Sequence, residues 1–138
     1  MVQYTKYVAL INKYSPYIAA PPLLDLESDA ATGVTKVRIN LQFIPHPVYG
    51  KTKFRIRERY DSGGNLFFYR YCWEINKRPT GHITAWENEH NHGLPTDPHH
   101  HHHVPFDRKQ VQANPNVRSL EDAFNAIIPY IISGKAYP

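Results

Sequence analysis

The chain has 138 residues, with 16 lysines and arginines against 12 aspartates and glutamates, so its formal charge is +4 when the histidines are neutral. This length suits a single domain over residues 1–138 whose core needs no covalent cross-links. A single cysteine, Cys72, excludes an intramolecular disulfide and a cysteine-based zinc site. No apolar run approaches the ~20 residues of a membrane span, and the N-terminus does not resemble a signal peptide. We therefore expect a cytoplasmic protein with no membrane partner, and the basic excess permits a nucleic-acid partner without requiring one.

Both ends of the chain are predicted to be helical. In residues 2–14, apolar side chains recur at three- and four-residue spacing, which favours a helix with one apolar face that ends at Ser15-Pro16. Residues 17–26 are apolar but interrupted by two prolines, so we predict an ordered connection or a short turn of helix lying on the core. Near the other end, Ser119 and Asp122 resemble a capping box followed by an apolar helical stripe.

Four segments in the middle of the chain are predicted to be strands, namely residues 34–44, 51–60, 66–75 and 82–87. Residues 61–65 contain two glycines, which can adopt positive φ, and are predicted to form a hairpin turn. The order of elements predicts an α+β fold. In it, an antiparallel sheet of about four strands has the N-terminal and C-terminal helices packed on one face.

The second predicted strand carries a row of cations and the third carries a row of aromatic rings. The cations are Lys53, Arg55, Arg57 and Arg59, and the rings are Phe67, Tyr69, Tyr71 and Trp73. A hairpin turn of three or five residues would place Arg55, Arg57 and Arg59 on the same face as the rings, whereas a turn of two or four would separate them. If the two rows share one face of the sheet, the arginines can pair with phosphates and the rings can stack on bases. The alternative is a solvated row of arginines with the rings packed in the core.

Seven of the nine histidines lie within residues 90–103. Gly93, Pro95, Pro98 and Pro105 disfavour a long helix or a central strand there, so we predict a loop rich in imidazole. Imidazole changes its charge near neutral pH and is a common metal ligand. A histidine-rich linker without function is the alternative reading of the same composition.

Six features occur in a characteristic order between roughly residues 51 and 132. They are an Arg/Tyr-rich strand (54–60), a turn with Asp and Gly (61–64), an aromatic strand (66–71), an acid-Asn-His segment (87–92), a Pro-His-His-x-His run (98–104) and a leucine-glutamate helix (119–122). This order resembles the TumE-type toxins of prokaryotic toxin–antitoxin pairs. The resemblance implies a growth inhibitor neutralised by a protein antitoxin, and RNA cleavage is the activity it most readily implies.

RNA cleavage without a metal needs a base, an acid and cations around the phosphate. We predict that His90 and His92 serve as base and acid, and that Arg57, Arg59 and Arg70 complete the catalytic set by holding the phosphate. The predicted RNA-binding residues are Arg55, Tyr69, Tyr71 and Trp73. The leading hypothesis is therefore a metal-independent endoribonuclease toxin without a cofactor. Its partners are RNA and an antitoxin, and a homodimer is compatible with the sequence.

Two other functions use the same side chains. A divalent transition-metal site is the first, with candidate ligands Glu87, His90, His92, His101 and His103. A non-catalytic module that presents the sheet face to nucleic acid or to a protein is the second. An enzyme requires a few groups that converge within hydrogen-bond distance, whereas a binding module requires only a broad surface.

Overall fold

The computed structural model of the chain describes residues 4–76, 81–102 and 109–138. Within them, two α-helices flank seven strands in this order: α1 (Tyr4–Lys13), β1 (Leu23–Ser28), β2 (Thr35–Gln42), β3 (Thr52–Tyr60), β4 (Leu66–Ile75), β5 (His82–Glu87), β6 (His100–His102), β7 (Gln112–Ala113) and α2 (Leu120–Ser133). A short 3-10 turn, Ser15–Tyr17, follows α1. Each strand pairs antiparallel with the next one along the chain, so the sheet order is β1 to β7.

The α+β class, the antiparallel sheet and the terminal helices are confirmed, but the predicted number of about four strands is wrong, since the described residues form seven. Strand β1 lies in the segment that was predicted to be a connection. Pro21 and Pro22 precede this strand, which lies at the edge of the sheet, where a proline removes no ladder hydrogen bond. Strand β6 lies within the predicted histidine loop, where its three residues fit between Pro98 and Pro105.

Both helices contact the face of the sheet that carries Phe54 and Glu58. Phe124 of α2 packs edge-to-face on Phe54 with ring centroids 5.3 Å apart, and Tyr7 of α1 donates a hydrogen bond to Glu58. Alternate residues of the central strands complete this side of the hydrophobic core, among them Val37, Ile39, Leu41, Ile56, Tyr71 and Trp73. The core therefore lies between the helices and one face of the sheet. The opposite face, which neither helix covers, is called the uncovered face below.

Helix α2 begins where its sequence predicts. The Ser119 hydroxyl accepts a hydrogen bond from the Asp122 amide at 3.1 Å, and the helix continues through Pro129 to a left-handed Gly134 at φ 68°. The Asp122 carboxylate accepts from the Arg118 amide rather than from that of Ser119. The observed capping is thus close to the predicted capping box. Its hydrogen bonds satisfy backbone amides at the start of the helix, which have no partner within the helix. Neither described helix combines the length and apolar character needed to span a membrane.

The hairpin between β3 and β4 decides which side chains share the uncovered face. The turn has five residues and Tyr60 pairs with Leu66, but a β-bulge follows, so Arg59 pairs with Phe68. The bulge adds one residue to β4, which moves every later side chain of that strand to the other face. The expectation that the arginines share a face with the aromatic row is therefore wrong for three of its members, namely Tyr69, Tyr71 and Trp73.

Candidate functional site

The uncovered face carries a patch of cationic side chains, which we call the arginine face. It consists of Lys36, Arg38, Lys53, Arg55, Arg57, Arg59 and Arg70. Arg57 pairs with Arg38 on one side and with Arg70 on the other, so three guanidinium groups cross three adjacent strands in one row. Burial, and then the charges of the neighbouring arginines, lower the pKa of Arg57. Directly opposed like charges are destabilising, so this row favours an anion that offsets them.

Carboxylates neutralise Lys53, Arg55 and Arg70 of the arginine face, and Arg70 pairs with two of them, Glu87 at 2.6 Å and Glu89 at 2.7 Å. Glu74 forms ion pairs with Lys53 at 3.3 Å and with Arg55 at 2.8 Å. Arg38 and Arg57 form no ion pair with any described residue, and Arg59 instead stacks 4.8 Å over the Phe68 ring. The middle and far side of the face therefore keep a positive charge that is available to an anionic ligand.

Backbone and amide oxygens hold the central arginine in place. Arg57 Nη1 donates to the carbonyl of Ile56 at 2.8 Å, and both terminal nitrogens lie 3.1 Å from Asn40 Oδ1. A guanidinium group that is already oriented loses less side-chain entropy when it binds a phosphate. Arg57 is therefore held in one orientation on the arginine face.

Glu87, His100 and His102 form a compact cluster at one end of the arginine face, which we call the imidazole–carboxylate site. Pairing of β5 with β6 places Glu87 opposite His100, and His102 projects to the same side two residues later. Glu87 Oε1 lies 2.9 Å from His100 Nε2 and 3.1 Å from His102 Nε2. The other oxygen, Oε2, lies 2.6 Å from Arg70 Nε. One carboxylate thus links the imidazoles to the arginine row.

Hydrogen-bond partners determine the charge of the imidazole–carboxylate site. His100 Nδ1 lies 3.1 Å from the Pro98 carbonyl, while Nε2 faces Glu87, and a ring between two acceptors satisfies both only when both nitrogens are protonated. Burial opposes the charged ring, but these hydrogen bonds raise the pKa of His100. Burial also opposes the Glu87 carboxylate, yet hydrogen bonds from His100 and His102 and the charge of Arg70 lower the pKa of Glu87 well below its ordinary value. The site therefore holds opposite charges in contact.

Asn88 fixes the point where the chain leaves β5. Its side-chain oxygen accepts from the Tyr69 amide at 2.9 Å, and its side-chain nitrogen donates to the Phe67 carbonyl at 3.1 Å. These bonds continue the pairing with β4 by one residue beyond Glu87. The next residue, Glu89, then reaches Arg70 Nη2 at 2.7 Å. The acid-Asn-acid sequence thus orders both carboxylates around one guanidinium group.

The loop after β5 brings one of the two predicted catalytic histidines to the site. Asp97 accepts backbone hydrogen bonds from His92 at 3.1 Å, from Gly93 at 2.9 Å and from Leu94 at 3.1 Å. The His92 ring contacts the His100 ring, with centroids 4.2 Å apart. His90, in contrast, is 78% exposed, and its nearest carboxylate is Glu89 at 3.6 Å. His92 therefore borders the imidazole–carboxylate site, whereas His90 lies at the surface.

Of the predicted metal ligands, the structure brings only Glu87 into the cluster. His101 projects to the opposite face, where its ring stacks on Trp86 at 5.0 Å and Nε2 lies 2.6 Å from Thr84 Oγ1. His103 lies outside the described residues. The sequence prediction missed His100 and His102. In a run of five consecutive histidines, several pairs are two residues apart, and any of these pairs could lie on one face of a strand. Only pairing with β5 selects this pair.

The predicted stacking residues are buried on the helix-covered side. Tyr69 is 2% exposed, and Tyr71 and Trp73 are fully buried. The Tyr69 hydroxyl lies 2.8 Å from His99 Nδ1, and burial raises the pKa of Tyr69 to about 12. These rings are part of the core and present no face to a nucleic-acid base. Phe68 does lie on the arginine face, where its ring contacts Arg59.

Comparison with known protein families agrees with the order of features in the chain. The family described as toxin TumE matches residues 9–134. The chain belongs to the TumE toxin family. It is therefore a toxin of a toxin–antitoxin system, whose partner is an antitoxin, and the predicted resemblance is confirmed over a longer part of the chain than residues 51–132. No curated protein and no solved structure matches the chain significantly.

This TumE toxin has a second group of potential ligands on the uncovered face, formed by Cys72, Glu74 and His82. Glu74 Oε2 lies 3.5 Å from Cys72 Sγ and 3.9 Å from His82 Nε2. However, Glu74 already neutralises two cations of the arginine face. Burial, followed by the charge of Glu74, raises the pKa of Cys72 to about 12, and only the thiolate binds metal well. This group is consequently a weaker candidate for a metal than the imidazole–carboxylate site.

Proposed function

We propose that this toxin binds RNA on the arginine face and cleaves it beside the imidazole–carboxylate site. One observation carries the proposal: phosphate-binding cations and a cluster of imidazole and carboxylate groups lie on the same uncovered sheet face. Arg70 joins the two, since its guanidinium group belongs to the arginine row and also contacts Glu87. The family supplies the role of toxin, and RNA as the target is our inference from this geometry.

The arginine row suits the backbone of a nucleic acid. Arg38, Arg57 and Arg70 lie on three neighbouring strands, which are spaced about 4.8 Å apart, so the row spans roughly 10 Å. Planar guanidinium groups bind phosphate oxygens through paired hydrogen bonds. Contacts of this kind position a strand without reading its sequence. The row therefore explains binding and leaves sequence preference to groups at its edges.

RNA carries its own nucleophile, the 2′-hydroxyl. In the proposed step the 2′-oxygen attacks the neighbouring phosphorus and gives up its proton, the bond from phosphorus to the 5′-oxygen breaks, and that oxygen takes up a proton. The products are a 2′,3′-cyclic phosphate and a 5′-hydroxyl. Arg57 stabilises the negative charge that develops on phosphorus, whereas the charge of Arg70 is largely offset by Glu87 and Glu89. No redox partner is required, and DNA, which lacks the nucleophile, is not cleaved this way.

The side chains at the border of the site are proposed to meet the reacting atoms. His92 is exposed and touches His100, so we propose that it accepts the proton of the 2′-hydroxyl and then donates that proton to the leaving 5′-oxygen. His90, Arg55 and Arg59 lie farther out and are proposed to contact flanking nucleotides. This assignment keeps the predicted chemistry of histidine and arginine, but it moves the centre of the site to Glu87, His100 and His102.

The test is a cleavage and binding assay with labelled single-stranded and structured RNA. We expect wild-type toxin to leave cyclic phosphate ends, His92→Ala to bind RNA but cleave it at least ~100-fold more slowly, and Arg57→Gln to bind about tenfold more weakly. Lys13→Gln on α1 removes the same charge from an exposed residue outside the arginine face and is the matched control. Intact RNA under every condition, or equal losses in Arg57→Gln and Lys13→Gln, would refute the proposal.

A further inference from the structure

We infer that the imidazole–carboxylate site binds one divalent transition-metal ion through Glu87, His100 and His102. Two imidazole nitrogens and one carboxylate oxygen form a ligand set that zinc and similar ions favour. The three donor atoms lie within 4.8 Å of one another, and Glu87 Oε1 lies 2.9 and 3.1 Å from the two Nε2 atoms. Adjacent ligands of a tetrahedral zinc ion are about 3.3 Å apart when the bonds are about 2.0 Å long. A small outward movement of these side chains is therefore enough to admit the ion.

Further hydrogen bonds already orient two of the three donor atoms, those of Glu87 and His100. Arg70 donates a hydrogen bond to Glu87 Oε2, which leaves Oε1 of the same carboxylate for the ion. The Pro98 carbonyl lies 3.1 Å from His100 Nδ1, which directs Nε2 of the same ring into the site. Metal-binding histidines in proteins commonly donate their other nitrogen to a backbone carbonyl in this manner. This surrounding structure distinguishes the site from a flexible run of histidines, which binds metal without a carboxylate or oriented rings.

The local charges are compatible with a bound cation. Glu87 and Glu89 both contact Arg70, so its positive charge is offset on two sides. Binding displaces the proton that His100 Nε2 shares with Glu87, and release of protons usually accompanies metal binding to histidine. The ion thus replaces a proton between groups that are already in contact.

Three protein ligands leave a further position on the ion for a water molecule or a phosphate oxygen. The site lies at the end of the arginine row, because Arg70 belongs to that row and contacts Glu87. An ion there would polarise a phosphoryl oxygen during strand cleavage. That catalytic role rests on the proposed function, whereas binding of the ion does not.

The experiment titrates the full-length, chelator-stripped toxin with Zn²⁺ in competition with a coloured chelator. We expect one tightly bound ion per chain in the wild type and at least ~100-fold weaker binding in Glu87→Gln, a change that leaves every histidine in place. His90→Asn removes an exposed histidine from outside the cluster and is expected to bind within twofold of the wild type. Unchanged binding in Glu87→Gln would overturn the proposal, since it would show that the run of histidines binds the ion by itself.

A second variant is used if the first one does not fold. If circular dichroism shows that Glu87→Gln is not folded, His102→Asn replaces it, with the same expected loss and the same refuting outcome. Cleavage of RNA is measured in parallel, with and without Zn²⁺ or Mn²⁺. Cleavage without metal binding would overturn the metal site and leave the proposed function intact. Metal binding without any action on RNA would support the site and refute the proposed function.

Discussion

The two faces of the sheet each hold a largely buried carboxylate, and the partners of these groups differ. On the helix-covered face, Glu58 accepts hydrogen bonds from the hydroxyls of Tyr7, Tyr60 and Tyr71. On the uncovered face, Glu87 contacts two imidazoles and a guanidinium group. Hydroxyl donors satisfy a carboxylate but neither exchange protons near neutral pH nor bind metal well, whereas imidazoles do both. Burial of an acidic residue therefore does not distinguish the two groups, and the chemistry of its partners does.

The tyrosine cluster has the character of a structural element. Burial, and then the charge of Glu58, raise the pKa of Tyr60 to about 12, so its hydroxyl stays protonated and continues to donate. The same causes raise the pKa of Tyr7 and of Tyr71. Because Tyr7 belongs to α1, the cluster ties this helix to the sheet. The following predictions test whether stability and function are divided between the two faces.

The largest expected change in stability comes from the core. Trp73→Ala removes a fully buried ring that contacts Phe43 with centroids 6.3 Å apart, and we expect the free energy of unfolding to fall by about 3–5 kcal/mol. Urea unfolding followed by circular dichroism measures this loss. Phe67→Ala removes a half-exposed ring from the same strand and should cost less than about 1 kcal/mol. Equal losses in the two variants would contradict the assignment of Trp73 to the core.

A smaller loss is expected at the acidic group of the core. Glu58→Gln keeps the shape of the side chain but places an amide donor against a tyrosine hydroxyl, so we expect a loss of about 1–3 kcal/mol in the free energy of unfolding. RNA binding should remain unchanged, because Glu58 points away from the arginine face. The two measurements are made on the same preparation. If Glu58→Gln lost RNA binding and kept its stability, this would contradict the assignment of stability to the helix-covered face and of RNA binding to the uncovered face.

The smallest effect is expected in the loop beside the candidate site. Asp97→Ala removes the acceptor for three backbone amides, so the amides of His92, Gly93 and Leu94 should exchange with deuterium roughly tenfold faster. These hydrogen bonds, that of His92 first, lower the pKa of Asp97. In the wild type the protection should therefore be complete near neutral pH and disappear as the pH falls through this lowered pKa. Unchanged exchange would show that Asp97 does not hold the loop.

Segments with a strong periodic pattern were predictable from the sequence alone. Residues 66–75 and 82–87 coincide with β4 and β5, and Ser119 caps α2 as predicted. Strands β1, β6 and β7 escaped prediction. Prolines precede β1 and β6, and strands of three and two residues, β6 and β7, are specified by their neighbours rather than by their own propensity. The resemblance to TumE toxins was likewise visible in the order of motifs.

The sequence by itself determined which chemical groups this toxin has, namely a row of arginines on one strand, an acid-Asn-His segment and a run of histidines. Only the tertiary structure decided which of these groups meet. A one-residue bulge sent Tyr69, Tyr71 and Trp73 into the core, and pairing with β5 turned His100 and His102 toward Glu87 and His101 away from it. The physical reason is the two-residue period of a strand, in which a shift of one residue exchanges the faces of every side chain beyond it.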